Sequence, residues 1–265
     1  MNHLIRCAGG LLAMTLALNV HAQNSALTTR EAEIRAAEAA AAAEAAPKVA
    51  ADKARPRIGG FWEPIDRADT LRAVNGKAIP LNAAGKRLQR QRQQQIRAGK
   101  SEDPMKVCLP PGTPRDMLSP GPFMIIQTPA KVTMLHEDRH LIRHVYLDGP
   151  LQLEDPDPWW EGHFSGYWDG SVLAIETAGF NGEQWLDSTG LPQSPKMKVS
   201  ERFSLIDPNT LEDVITIEDP EFYSAPWTAR LTFRRLPGED RHLVQHECGE
   251  TLLEYPLKEY APPRS

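Results

Sequence analysis

An antiparallel β-meander, closed or partly open as a barrel, is the fold predicted for this chain of 265 residues. Three observations predict it. From residue 122 onward, nine runs rich in β-branched and aromatic residues follow one another without an intervening helix: 123–127, 131–137, 141–147, 164–168, 172–177, 197–206, 211–218, 227–235 and 243–255. Turn residues bound them, among them Asp148-Gly149, Asp169-Gly170, Asp207-Pro208-Asn209 and Pro237-Gly238, and runs so spaced argue for sheet closing on itself. A phrase of glycine, aromatic, tryptophan and acid also occurs twice, as Gly60-Phe61-Trp62-Glu63 and Gly166-Tyr167-Trp168-Asp169, the second opening a hairpin over 162–177.

The segments before the strands read differently. Arg6 and the short apolar stretch 11–20, followed by Val20-His21-Ala22, form an export signal with cleavage near Ala22. The stretch is too short to cross a bilayer, and no later run reaches the ~18 apolar residues a membrane helix needs. Residues 23–56 form a spacer of Ala with Glu, Arg and Lys: high in helix propensity, with nothing to bury, broken at Pro47 and ended at Pro56. Residues 57–265 then form one domain, since about 200 residues suffice for a good core. Within it 82–98 reads as a surface helix with a thin apolar stripe (Leu81, Leu88, Ile96), and 108–115 as a proline-stiffened loop. The first glycine–tryptophan phrase precedes both, so it is expected to be a short strand or loop that caps the domain.

Charge and cysteines bound the function. Cleavage after Ala22 removes one base, Arg6, and no acid, so the formal charge moves from −5 to −6. That balance argues against nucleic acid. Six bases and no acid fall in 82–100, and six acids and no base in 203–229, which reads as two solvated faces. Cys108 and Cys248 survive cleavage, and an isolated pair in an oxidising compartment is expected to form a disulfide.

Three constellations carry candidate chemistry. His136-Glu137-Asp138-Arg139-His140 matches H-E-x-x-H, but that zinc chemistry needs a helix, and the surroundings read as strands. No metal and no other cofactor is therefore expected, although His144 and His163 would be the residues to supplement such a site. Strand phase supplies the second set. Arg143, Glu176, Glu201 and Glu247 each alternate with apolar residues, which places them on half-buried faces where a charge must be paired. They are expected to form an internal ion network or to line a polar pocket. The third set is aromatic: Trp159, Trp160, Tyr167, Trp168, Phe180 and Trp185. Trp168 reads as core, whereas Trp159-Trp160, in a Pro/Asp-rich loop, reads as a mouth.

The series Cys108, Pro111-Gly112, Pro114-Arg115, Ile126-Gln127-Thr128-Pro129, Glu137, Arg143, Tyr146, Asp148-Gly149, Gly166-Tyr167-Trp168-Asp169-Gly170, Glu176-Thr177, Gly179-Phe180-Asn181, Glu201-Arg202-Phe203, Asp219-Pro220, Pro226-Trp227-Thr228 and Glu247-Cys248 resembles a family of exported bacterial β-rich proteins of uncharacterised activity. The resemblance covers roughly residues 58–250 and implies a single extracytoplasmic β domain. By analogy of the Gly-x-Trp phrase and the meander, the fold resembles a lipocalin-like barrel, an analogy that does not carry function.

The expected function is a periplasmic or secreted lipocalin-like binding protein for a small, partly apolar molecule. Arg143, Tyr167, Trp168, Phe180, Asn181, Trp185 and Glu247 are its candidate ligand-binding residues. The alternative is a lyase, isomerase or hydrolase with Glu176, Glu201 and His163 as acid–base groups. Neither membrane insertion nor nucleic acid is expected. An envelope protein partner would engage through the spacer.

Overall fold

The computed structural model describes residues 55–139, 141–147, 149, 151, 156–238, 241–244 and 248. It contains nine strands: β1 (Gly60–Pro64), β2 (Phe123–Gln127), β3 (Lys131–His136), β4 (Ile142–Tyr146), β5 (His163–Asp169), β6 (Val172–Ala178), β7 (Lys198–Asp207), β8 (Thr210–Glu218) and β9 (Trp227–Leu236). Among the described residues one α-helix, α1 (Ala83–Arg97), precedes β2. The strands form one nearly closed barrel-shaped sheet in the order β4-β3-β2-β1-β9-β8-β7-β6-β5. A mainly β meander of lipocalin-like form is therefore the observed architecture.

The expected strand bounds hold within one or two residues wherever a tight turn sets them. The exception is the ninth. The run 243–255 contributes Leu243 and Val244 without regular structure, and the rest of it, apart from Cys248, lies outside the described residues. The ninth strand is instead β1, the first glycine–tryptophan phrase. Expected as a cap, it is a central strand, pairing antiparallel with β2 (Phe61 opposite Met124) and with β9 (Trp62 opposite Arg235). Trp62 is fully buried, and its indole N–H donates to the Ile58 carbonyl at 2.8 Å. The export signal and nearly all of the spacer, with any partner the spacer engages, lie outside the described residues.

The sheet has a seam, and parity explains it. Eight antiparallel pairings link nine strands, so the two end strands, β4 and β5, point the same way. They cannot close the barrel as an antiparallel pair. Parallel neighbours need a crossover of roughly a dozen residues or more, and residues 147–162 supply one. That loop ties the seam: the Gly149 N–H donates to the Gly166 carbonyl at 3.2 Å, and the Ser165 hydroxyl to the Gly149 carbonyl at 2.8 Å. Beside these ties the strands pack closely, since a Cβ placed on Gly166 would lie 2.6 Å from Cγ1 of Val145. Gly166→Val is expected to cost about 1–3 kcal/mol by overpacking. Urea denaturation measures it, and an unchanged midpoint would show that β4 and β5 separate freely.

Inward side chains fill the barrel in two apolar clusters. One is built around Trp62, Phe123, Met134, Ile175, Phe203 and Phe233. The other is built around Phe180, Leu186, Met197, Ile217, Tyr223 and Trp227. Residues 111–118 are buried throughout and bear on both, through Met117 and Leu118. This segment is anchored by a buried bidentate pair, Arg115 to Asp103, at 2.8 and 2.6 Å. Helix α1 lies on the surface as its thin stripe predicts. Its N-cap is Asn82, whose side chain accepts from the Gly85 N–H at 3.0 Å. Its Arg92 guanidinium stacks over Trp185, 4.8 Å from the ring centre. No helix among the described residues is long and apolar enough to cross a membrane.

Candidate functional site

Strand phase puts charge inside this barrel. On β7 the buried positions are Val199, Glu201 and Phe203, and on β8 they are Leu211, Asp213, Ile215 and Ile217. On β4 the buried positions are Arg143 and Val145. Arg143 donates through both terminal nitrogens to Glu201, Nη1 to Oε1 at 3.0 Å and Nη2 to Oε2. The same Nη1 lies 3.6 Å from the Asp116 carboxylate. Burial disfavours the Arg143 cation, but Glu201 and Asp116 outweigh it and hold the guanidinium charged. One cation thus faces three buried carboxyl groups. The third, Asp213, meets no hydrogen-bonding side chain among the described residues. Burial first, and the Glu201 carboxylate second, push it well above the usual carboxylate range.

The internal ion network expected from strand phase is therefore present for Arg143 and Glu201. Glu176 is not part of it. On β6 the inward positions are Leu173, Ile175 and Thr177, with Ile175 opposite Glu201 and Glu176 opposite the exposed Ser200. Glu176 faces out, where its Oε2 accepts from the Leu151 N–H at 3.0 Å. The expectation for Glu176 fails because Leu173, Ala174 and Ile175 are all buried; such a run shows no clean alternation. Glu247 lies outside the described residues.

The predicted aromatic and polar ligand set disperses. Phe180 is fully buried in the second cluster, and Trp185 is buried beneath Arg92. Trp168 packs against the first cluster, as its core reading requires, whereas Tyr167 alternates with it on the outer face of β5. Asn181 is a turn residue whose side chain accepts from the Glu183 N–H at 3.1 Å. The stretch 167–181 does not converge on one recess.

Convergence occurs instead at the seam. A recess of about 480 Å3 is lined by Ile142, His144 and Tyr146 on the outer face of β4, by Trp159, Glu161 and Gly162 of the crossover, and by His163 and Phe164 of β5. Trp159 stands 61% exposed and Tyr146 53% exposed, so the mouth reading of Trp159 agrees with its place. His163 is the one expected acid–base residue that lines the recess. Its Nε2 lies 2.7 Å from the Asp157 carbonyl, which accepts only, so Nε2 carries the proton and a neutral ring leaves Nδ1 as an acceptor. His144 pairs its Nδ1 with the Thr133 hydroxyl at 3.1 Å, which leaves Nε2 for other partners.

Glu161, absent from the expected set, is the chemical centre of this recess. Its carboxyl group makes no hydrogen bond or ion pair among the described residues. Burial, followed by the negative charge of Asp116, raises it to about 7, against the opposing pull of Arg143. Phe164 forms the partition: its ring lines the recess on one side and lies 5.4 Å from the buried Arg143 guanidinium. Glu161 therefore sits between solvent and the internal charge cluster. Its one sequence signal was an acid following two tryptophans in a loop otherwise rich in Pro and Asp.

The zinc reading does not take shape. His136 ends β3, fully buried and stacked on Phe123 with ring centres 5.3 Å apart. Burial and then Arg143 depress it to about 4, so it is neutral core. Glu137 to Arg139 form a turn rather than a helix, and His140 lies outside the described residues. Among the described residues no group of three or more His, Cys, Asp or Glu is placed to hold a metal. Cys108 and Cys248 are joined as a disulfide, with Cα atoms 5.6 Å apart. Comparison with known proteins found no matching family model and no matching curated protein.

Proposed function

We propose that the protein binds a small, partly apolar molecule in the seam recess between β4 and β5. The observation that carries this reading is an unpartnered, half-buried carboxyl group, Glu161, opening onto a recess of about 480 Å3 walled by Ile142, Tyr146, Trp159 and Phe164. Concave apolar walls with a few polar groups are the common form of a ligand site. The barrel interior is a poorer candidate, because its apolar clusters and the Arg143–Glu201 pair occupy it. The disulfide between Cys108 and Cys248 is the form expected of an oxidising compartment and supports a reading in which the protein acts in the periplasm or secreted medium.

Titrating the mature chain with a panel of small aromatic molecules tests this, with tryptophan fluorescence as the readout. Ligands are expected to quench the wild type and to lose most of that quenching in Trp159→Phe. A panel that leaves both fluorescence and melting temperature unchanged would sink the reading.

A second reading, acid–base catalysis on a small organic molecule, is favoured by the same carboxyl group. A glutamate held at about 7 beside two histidines has the value a general acid or base needs near neutral pH. Of the expected catalytic set, only His163 remains a candidate here. Activity that survives Glu161→Gln would exclude this role.

The raised carboxyl also makes a stability prediction. The folded state holds the Glu161 proton to about 7, whereas the unfolded chain releases it in the ordinary glutamate range. The folded state then binds more protons between those values, so this contribution to stability is full at low pH and is lost as pH rises toward 7. Glu161→Gln is expected to flatten that part of the stability–pH curve. Curves for variant and wild type that stay parallel from pH 4 to 8 would contradict it.

A further inference from the structure

Resting on that reading of the recess, we propose that its ligand carries a positive charge: a small organic cation, an aromatic or alkyl ammonium, with Glu161 as its counter-ion and Trp159 and Tyr146 as its aromatic walls. The argument begins with what surrounds Glu161. Behind it lie the Glu201 and Asp116 carboxylates around the Arg143 cation, with the Asp213 carboxyl group beside them. Arg143 is engaged by Glu201 through both terminal nitrogens, and among the described residues no ion pair joins it to Glu161. The groups facing the recess from the packed elements are His144 and Tyr146 on β4, Glu161 on the crossover and His163 on β5. With His163 directing its proton away to Asp157, the described residues that line the recess supply a carboxyl group in need of a donor or a cation and no Lys or Arg.

The aromatic groups fit the same partner. A cation within about 6 Å of an indole or phenol face is attracted by the ring quadrupole, and the gain grows as water is excluded. Tyr146 already takes part in one such contact, with the Lys131 ammonium 5.8 Å from its ring centre. Trp159, 61% exposed, has no such partner among the described residues. Lys131 is the charge that opposes the proposal, but it does not line the recess. An anionic ligand would meet Glu161 and the surplus of acids behind it. A neutral ligand would leave the Glu161 charge uncompensated at every pH at which it ionises.

Three probes sharing one benzene ring distinguish these cases: benzyltrimethylammonium, benzyl alcohol and phenylacetate. Dissociation constants are measured by calorimetry on the mature protein at pH 8 and pH 5. At pH 8 the cation is expected to bind about tenfold tighter than the alcohol, a difference of about 1.4 kcal/mol. Phenylacetate is expected to bind weakest. The advantage of the cation should collapse at pH 5, where Glu161 is protonated, and in Glu161→Gln at either pH. Trp159→Ala, at an exposed position that does not threaten folding, should weaken the cation more than the alcohol. Binding the alcohol or phenylacetate as tightly as the cation at pH 8 would overturn the charge inference and leave the recess reading intact. A cation advantage that persists undiminished in Glu161→Gln would overturn the role of that carboxyl. Binding of none of the three would overturn both.

Discussion

Replacing Arg143 with methionine is expected to cost about 3–5 kcal/mol, the range for removing one partner of a buried ion pair. That is a large share of the roughly 5–15 kcal/mol by which a domain of this kind is stable. The cause lies in what remains. Methionine fills much of the arginine volume, so packing changes little. Glu201, fully buried, loses a bidentate partner, and Asp116 loses the guanidinium that lies 3.6 Å from its carboxylate. Two carboxylates beside a third carboxyl group, Asp213, cannot stay ionised without compensation. They take up protons in the folded state at pH values where the unfolded chain has lost them. The variant should therefore be least impaired at acid pH and lose stability as pH rises.

The companion double variant separates charge from shape. Arg143→Met with Glu201→Leu removes the pair and leaves an apolar contact between β4 and β7. It is expected to recover about half or more of the single-variant loss, since apolar replacements of buried pairs are often close to neutral. Urea denaturation at pH 5 and pH 8 measures both variants. Equal stability of single and double variants, or a single-variant loss below about 1 kcal/mol, would show that water reaches the pair.

That pair was legible before the fold was known, and its limits show what strand phase can report. Arg143 and Glu201 lie in strands with clean alternation, exposed on one side and buried on the other. Glu176 lies in β6, where buried residues run consecutively, so period 2 no longer tells inside from outside. β1 reads from the sequence as a short strand or loop, and its central place is missed for another reason. Its partners, β2 and β9, are distant in sequence, and a five-residue strand carries little local signal. The seam follows from the parity of strands, which no single segment displays, although the long Pro/Asp-rich crossover was its trace. Glu161 was the hardest to read. Its character comes from burial and from Asp116 and Arg143, residues that only the closed sheet brings near it. His144 and His163 were singled out as neighbours for a metal and meet at the recess for a different reason.

Breaking the disulfide between Cys108 and Cys248 should cost up to about 5 kcal/mol, the chain-entropy value for a loop this long. The two cysteines are 140 residues apart, so the cross-link restricts most of the domain in the unfolded state. In the folded state it joins the exposed Cys108, three residues ahead of the buried segment 111–118, to the chain beyond β9. Other contacts also hold both ends. Arg115 and Asp103 anchor the buried segment, and the Val244 N–H donates to Glu137 at 3.1 Å. Reduction should therefore lower stability without opening the fold at neutral pH. The check is a denaturation curve of Cys108→Ser/Cys248→Ser beside the oxidised wild type, with the binding titration run on the same samples. A loss of about 3–5 kcal/mol with unchanged affinity at the recess is the expected pair of results. Unchanged stability would mean that the cross-link restricts little in the unfolded chain. A loss of affinity would mean that the Cys108 segment, which carries Asp116 up behind Glu161, depends on the cross-link for its position and not on Arg115.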